Sequence, residues 1–346
     1  MKTAFFDTKE YDRKAFESYL DGELFDISFF ETKLNEDTVE LAKNADAVCV
    51  FVNDNVSGKV IERLHCMGVE LIALRCAGYN NVDLSAAYGR AHVVRVPAYS
   101  PYAVAEHAMA MLLCSVRRIH KAYNRTKDFN FNLNGLTGFD LHGKTVGVIG
   151  TGKIGRIFID ICRGFKMNVL AYDKYPSVTD GVRYVDLARL YEESDIISLH
   201  CPLTEETRHL IDAESIDKMK KGVVIINTSR GMLIDSAALL EGIKNRRIGA
   251  ACLDVYEEES DLFFEDYSGH IVSDDVLARL ITMPNVIVTS HQAFLTEEAL
   301  CNIAETTVMN IKNYFDRGEL ENEVCYRCGK LADCKKVRRK SCFDLR

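Results

Sequence analysis

The sequence predicts an α/β protein of two doubly wound parallel-sheet domains, and three observations carry that reading. Short apolar runs alternate with helical or turn-like polar segments along the chain, the pattern of parallel strands covered by helices. A glycine-rich turn, Gly150-Thr151-Gly152-Lys153-Ile154-Gly155, follows one such run near mid-chain, so a whole set of strands precedes it. At 346 residues the chain also exceeds what one core usually supports, and two domains are expected.

Taken in order, the first set of apolar runs comprises Thr3 to Phe6, Phe25 to Phe30, Ala47 to Phe51, Glu70 to Leu74 and His92 to Val96. Pro101 suits the first turn of a helix, and Tyr102 to Ala122, apolar with few breakers, predicts one helix between the domains. The second set comprises Thr145 to Ile149, Asn168 to Tyr172, Asp195 to His200, Gly222 to Asn227, Gly249 to Leu253 and Asn285 to Thr289. Thr296 then caps a helix to about Phe315, with Glu297 and Glu298 in its first turn and Asp316-Arg317-Gly318 as its stop. Because the sheet pattern ends before this helix, the helix is expected to return to the first domain. That makes one domain discontinuous, residues 1–100 and 298–330, with 101–297 inserted into it and 325–346 as a tail. The connections Asn124 to Gly143 and Glu257 to Ser273 are long, which points to a functional or covering role.

In the mid-chain turn, Gly150, Gly152 and Gly155 fit G-x-G-x-x-G: a tight turn, a backbone open to a pyrophosphate, and close helix–strand packing. The helix N-terminus that follows presents N–H groups and positive dipole to phosphate. Asp173 ends the next apolar run, eighteen residues after Gly155, where a carboxylate accepts from a ribose 2′-OH and repels a 2′-phosphate. The expected cofactor is NAD(H), and the expected fold of residues 101–297 is the Rossmann fold.

The formal net charge of -8 disfavours nucleic acid as a partner. No apolar stretch is long enough to span a bilayer, and Met1-Lys2-Thr3 runs straight into a core-like segment, so the expected compartment is the cytoplasm. Of the twelve cysteines, Cys49, Cys114, Cys162 and Cys252 sit singly in apolar runs and read as small buried hydrophobes rather than a disulfide framework.

Three polar residues fall at or beyond the C-terminal ends of second-set strands, where open α/β sheets place ligands. They are Arg230, Glu259 and His291. Each alone has a bland reading: a surface arginine, a solvated acidic loop, a structural histidine. Together they suit hydride transfer to a 2-oxo acid, which needs a cation on the carboxylate and a proton donor beside the carbonyl. Arg230 offers a planar fork to the carboxylate, His291 gives and takes the proton, and a neighbouring Glu259 favours protonated His291.

These residues carry a resemblance. The blocks Gly150 to Gly155, Asn227-Thr228-Ser229-Arg230-Gly231, Asp254-Val255-Tyr256-Glu257-Glu258-Glu259 and His291-Gln292-Ala293-Phe294-Leu295-Thr296 resemble the D-isomer-specific 2-hydroxyacid dehydrogenases. Leu74 to Asp83, Asn134 to Phe139 and Asp261 to Asp266 are similar to that family's fermentative subgroup, which reduces pyruvate, and the resemblance covers residues 1 to about 325. It implies a flavodoxin-like substrate domain around the inserted Rossmann domain, and a homo-oligomer, dimer or tetramer, formed through the nucleotide domains. It implies cofactor contacts at Lys153, Ile154, Asp173, Cys201, Pro202, Thr228, Ser229, Arg230 and Asp254, the last against the nicotinamide. It implies that Cys76-Ala77-Gly78 offers backbone N–H groups to the substrate carboxylate, that Tyr99 closes the pocket, and that Phe294 limits the substrate side chain. A larger 2-oxo acid is the nearest alternative, and a nucleotide-sensing regulatory protein on the same fold is another.

From about Glu323 the chain departs from that family. Cys325, Cys328, Cys334 and Cys342 follow C-x2-C-x5-C-x7-C, with eight Lys or Arg against two acidic residues between Arg327 and Arg346. Zinc or an iron-sulfur cluster, thiol switching, and an unligated tail all stay open.

Overall fold

Leu71 to Leu74 is buried at every position, as is Ala47 to Val50, because a parallel strand covered on both faces has no solvent side. The computed structural model describes residues 1–19, 26–176, 182–258, 262–327, 341 and 343. The chain divides into two compact units, Met1–Ser100 with Leu295–Arg346, and Pro101–Phe294.

The first unit opens with β1 (Lys2–Phe5), α1 (Glu10–Glu17), β2 (Asp26–Phe29), β3 (Ala47–Val50), α2 (Gly58–Cys66), β4 (Leu71–Leu74), α3 (Leu84–Ala87) and β5 (His92–Arg95). Its strands pair in parallel in the order β2-β1-β3-β4-β5, the flavodoxin-like doubly wound arrangement.

The second unit begins with α4 (Pro101–Arg117), α5 (Ile119–Lys127), β6 (Thr145–Ile149), α6 (Lys153–Gly164), β7 (Asn168–Tyr172), β8 (Arg183–Tyr184) and α7 (Leu187–Glu193). It continues with β9 (Ile196–Leu199), α8 (Ala213–Lys218), β10 (Val223–Asn227), α9 (Ser236–Lys244), β11 (Ile248–Leu253), α10 (Asp275–Thr282) and β12 (Val286–Val288). The sheet order is β12-β11-β10-β9-β6-β7-β8, all parallel, so the winding reverses between β6 and β9. Such a switch point opens a crevice beyond the strand ends, which is where ligands of this architecture bind. Aspartates recur as N-caps: Asp186, Asp212, Asp235 and Asp274 accept backbone N–H groups of α7, α8, α9 and α10 at 2.8–2.9 Å.

The last helix, α11 (Glu297–Arg317), is capped by Thr296, whose Oγ accepts the Ala299 amide at 3.2 Å, and ends at Gly318 in the left-handed region. Its Ala304, Val308 and Ile311 join Phe5, Cys49, Leu71 and Val94 in the core of the first unit. Cys49, Cys162 and Cys252 are fully buried as expected of small hydrophobes, whereas Cys114 is only partly so.

Two expectations need correction. The single helix over Tyr102 to Ala122 is two, because Arg118 adopts φ 56 and breaks the ladder between buried α4 and α5, which buries nothing. Six strands were expected in the second sheet and seven form among the described residues. The seventh, β8, is a two-residue edge pairing with β7, too short to show any periodicity.

Candidate active site

The glycine turn between β6 and α6 has three different steric situations. Gly150 has φ 95, and a Cβ there would strike the His200 and Cys201 backbone. A Cβ on Gly155 would collide with the Gly150 carbonyl. At Gly152, the N-cap of α6, a Cβ would meet nothing within 4 Å among the described residues beyond its own chain neighbours. Two glycines are therefore needed for packing, and the third leaves a free approach to the helix N-terminus. Lys153 is exposed and Ile154 partly so at that end.

Asp173, at the end of β7, closes on this turn. Its Oδ2 accepts the Thr151 amide at 2.7 Å and the Thr151 hydroxyl at 3.0 Å, and its Oδ1 accepts the Tyr175 amide at 2.8 Å. Tyr184 of β8 adds a hydroxyl 3.1 Å from Thr151 Oγ1, and Arg156 Nε donates to the Thr151 carbonyl at 2.9 Å. Burial works to raise the pKa of Asp173, but the hydrogen bonds from Thr151 and Tyr175 and the charge of Arg156 outweigh it, so the carboxyl lies below its ordinary value. A carboxylate held ionised beside a glycine turn fits an adenosine ribose. Tyr184 and Arg156 had no sequence signal, one being on the short edge strand and the other reading as a solvated helix residue.

Arg230 follows β10 on a turn fastened by buried Asn227. The Asn227 amide donates to the Arg230 carbonyl at 2.9 Å and its Oδ1 accepts the Ser229 amide at 3.0 Å. Ser229 Oγ donates to the Cys201 carbonyl at 2.7 Å, and a Cβ on Gly231 would run into the Tyr256 carbonyl. Beside it, the buried Thr228 hydroxyl has no hydrogen-bond partner among the described residues. A buried hydroxyl without a partner costs free energy, so its place at a strand end next to Arg230 fits contact with a bound group. Cys201 is buried, which pushes its thiol up to about 11 and leaves the sulfur unreactive.

His291 follows β12 in the left-handed region, φ 53. Its amide donates to the Asp254 carbonyl at 2.7 Å, and the Gln292 and Ala293 amides each reach the Asp254 carboxylate at 2.9 Å. Thr289 Oγ1 donates to Asp254 Oδ1 at 2.6 Å. Asp254, expected as a nicotinamide contact, is fully buried, with its carboxylate engaged by these groups. Phe264 lies 5.8 Å from the His291 ring, centroid to centroid, so the long connection after β11 brings an aromatic against it. Phe294 is buried. Glu259 lies outside the described residues, as do Cys328, Cys334 and Cys342. The neighbouring Glu257 pairs with His209 at 2.5 Å.

In the first unit, the turn after β4 is set by Arg75, almost wholly buried. Its guanidinium meets both carboxylate oxygens of Asp12 at 3.3 Å, donates to the Phe6 and Asp7 carbonyls, and lies over the Phe5 and Phe51 rings. Cys76 is buried, with Ala77 and Gly78 partly exposed, and Arg95 holds the Ala77 carbonyl at 2.7 Å. Tyr99 is half-buried in the same unit. Cys325 is buried beside Val324, whose amide donates to the Val93 carbonyl of β5. Among the described residues no cluster of three metal-ligating side chains occurs.

Residues 109–293 match the family model described as the D-isomer specific 2-hydroxyacid dehydrogenase NAD binding domain. The chain belongs to the D-isomer specific 2-hydroxyacid dehydrogenases. Among this family's members, it is 55% identical over 315 residues to a 2-hydroxyacid dehydrogenase homolog of Haemophilus influenzae, covering 90% of this chain and 95% of the relative. It is 54% identical over 323 residues to the D-lactate dehydrogenase of Escherichia coli, covering 92% and 98% respectively. The apo-structure of D-lactate dehydrogenase from Escherichia coli superposes with a TM-score of 0.86 at 51% identity, over 94% of this chain and all of the other. The second unit is thus the family's NAD-binding domain, and NAD(H) is the cofactor of this dehydrogenase. The glycine turn, ionised Asp173 and unpartnered Thr228 hydroxyl fit it.

Proposed function

We propose that this dehydrogenase is an NAD-dependent D-lactate dehydrogenase that reversibly reduces pyruvate to D-lactate. Near-complete coverage of a D-lactate dehydrogenase at 54% identity carries the reading. The bound cofactor supplies a hydride to the carbonyl carbon. Arg230 holds the substrate carboxylate and polarises the carbonyl, while protonated His291 delivers a proton to the carbonyl oxygen. In the oxidative direction neutral His291 removes that proton. Glu259 pairs with His291, the Cys76-Ala77-Gly78 backbone donates to the carboxylate, and Tyr99 and Phe294 border the substrate. Lys153, Ile154, Asp173, Cys201, Pro202, Thr228 and Ser229 contact the cofactor.

The first unit serves as the substrate domain. The enzyme works in the cytoplasm; among the described residues no helix is long and apolar enough to cross a membrane. It acts as a homo-oligomer through the second unit, a reading supported by the exposed aromatic and aliphatic side chains Phe129, Phe131 and Leu133, at 82%, 71% and 77% exposure.

The test is NADH oxidation with a panel of 2-oxo acids and chiral analysis of the product. Pyruvate giving D-lactate is the expected result; turnover only with larger side chains would redirect the substrate, and no turnover at all would overturn the proposal. His291→Ala should lower kcat by about 10²–10⁴-fold, whereas Arg230→Ala should also raise KM for pyruvate.

A further inference from the structure

Three consecutive amides, those of His291, Gln292 and Ala293, all end on one residue, Asp254. Such convergence offsets the cost of placing a residue with a Cβ at φ 53. The Asp254 amide in turn donates to the Asn227 carbonyl at 2.9 Å, and the Asn227 side chain fastens the turn of Arg230. Asp254 is therefore the hub between the two turns that bear Arg230 and His291.

The hub itself is steadied from α4. His107 is set in the run Val104-Ala105-Glu106-His107-Ala108-Met109, on a helix that packs across β10, β11 and β12. An apolar side chain would fill that seam more cheaply than an imidazole. The Nε2 of His107 lies 3.3 Å from Asp254 Oδ1 and 3.3 Å from Thr289 Oγ1, so one N–H is shared between both acceptors, while the Thr289 hydroxyl donates its own hydrogen bond to Asp254. The imidazole thus braces the buried carboxylate and the hydroxyl that fasten the turn bearing His291.

We propose that His107 is a positioning residue for catalysis, fixing the His291 turn through Asp254 and Thr289. The inference rests on the proposed role of His291 as proton donor. Displacement of a general acid from its hydrogen-bond geometry lowers the chemical step without weakening cofactor binding. No contact of His107 with substrate or NAD(H) is needed.

The experiment compares full-length wild-type enzyme with His107→Ala, His107→Gln and Thr289→Val, using pyruvate and NADH. Measured are kcat, KM for pyruvate, the NADH Kd from fluorescence, and the primary isotope effect on kcat with NADH deuterated at the transferred position. In His107→Ala, kcat should fall about 10–100-fold, with NADH Kd within about twofold and a larger isotope effect. Glutamine, which retains an N–H donor, should restore most of kcat, and Thr289→Val should follow the alanine variant. Wild-type kcat in His107→Ala, or a glutamine variant no better than alanine, would overturn the inference. So would a loss of kcat matched by an equal loss of NADH affinity with no change in isotope effect. Should His107→Ala fail to fold, the same criteria apply to Thr289→Val. His291→Ala serves as the control: if it keeps wild-type kcat, the role of His291 fails and the inference with it. If it is inactive while the His107 and Thr289 variants are normal, only the inference fails.

Discussion

In the proposed site, Asp173 is the single carboxylate that would set cofactor preference. Held ionised by the Thr151 and Tyr175 amides and by the charge of Arg156, it opposes a second negative charge near the ribose. Asp173→Ala removes that repulsion and should lower the ratio of kcat/KM for NADH over NADPH by at least tenfold; an unchanged ratio in steady-state assays with both cofactors would refute the assignment. At this scale the sequence was uneven. Gly150, Gly152, Gly155, Arg230 and His291 are legible because each stands at a strand end in a local pattern. His107 is not, because its partners are more than a hundred positions away and its own segment reads as plain apolar helix.

Among the elements, β4 and the turn after it depend on a charge cluster that a hydrophobic reading passes over. Arg75 is stacked between two rings and bound to Asp12, with Asp54 accepting the Leu34 and Phe51 amides nearby. Arg75→Ala would leave buried carboxylates without their cation, a change that costs about 3–5 kcal/mol. Urea unfolding should show that loss, and pyruvate KM should rise while NADH Kd holds, since the Cys76-Ala77-Gly78 turn follows directly. Equal stability of variant and wild type would show that Arg75 is not such a strut. Strand positions were readable for a related reason: parallel strands buried on both faces are continuous apolar runs, as at Leu71 to Leu74. What escaped was set by contacts rather than pattern. The α4–α5 break falls at Arg118 without a glycine or proline to announce it, and β8 is held as a strand only by its neighbour.

For the molecule as a whole, pH acts through buried groups. Burial pushes the His200 imidazole down to about 4, so between pH 6.5 and 4 the unfolded chain binds a proton that the native ring refuses. Its stabilising contribution is fully present above pH 6.5 and is lost as pH falls towards 4, by about 2 kcal/mol at pH 5. Asp54, raised to about 6 by burial against the opposing charge of Arg75, works in the opposite sense between pH 4 and 6. Comparing Tm at pH 7.5 and 5.0 in wild type and His200→Gln isolates the histidine, because Asp54 is common to both. The variant should show the smaller drop on acidification, and an equal drop would remove His200 as the cause. Association is the second property at this scale. Phe131→Glu with Leu133→Glu should lower the oligomer mass in analytical ultracentrifugation, and an unchanged mass would place the interface elsewhere.

The return of α11 to the first unit has a consequence for synthesis on the ribosome. The face that Ala304, Val308 and Ile311 cover is already translated within the first hundred residues, yet its cover emerges only after all of Pro101–Phe294. At about 5–20 residues per second this interval is on the order of 10–40 s. For that time the nascent first unit carries an open apolar face, while the contiguous second unit can close as it leaves the tunnel. The second unit can therefore complete its core before the first.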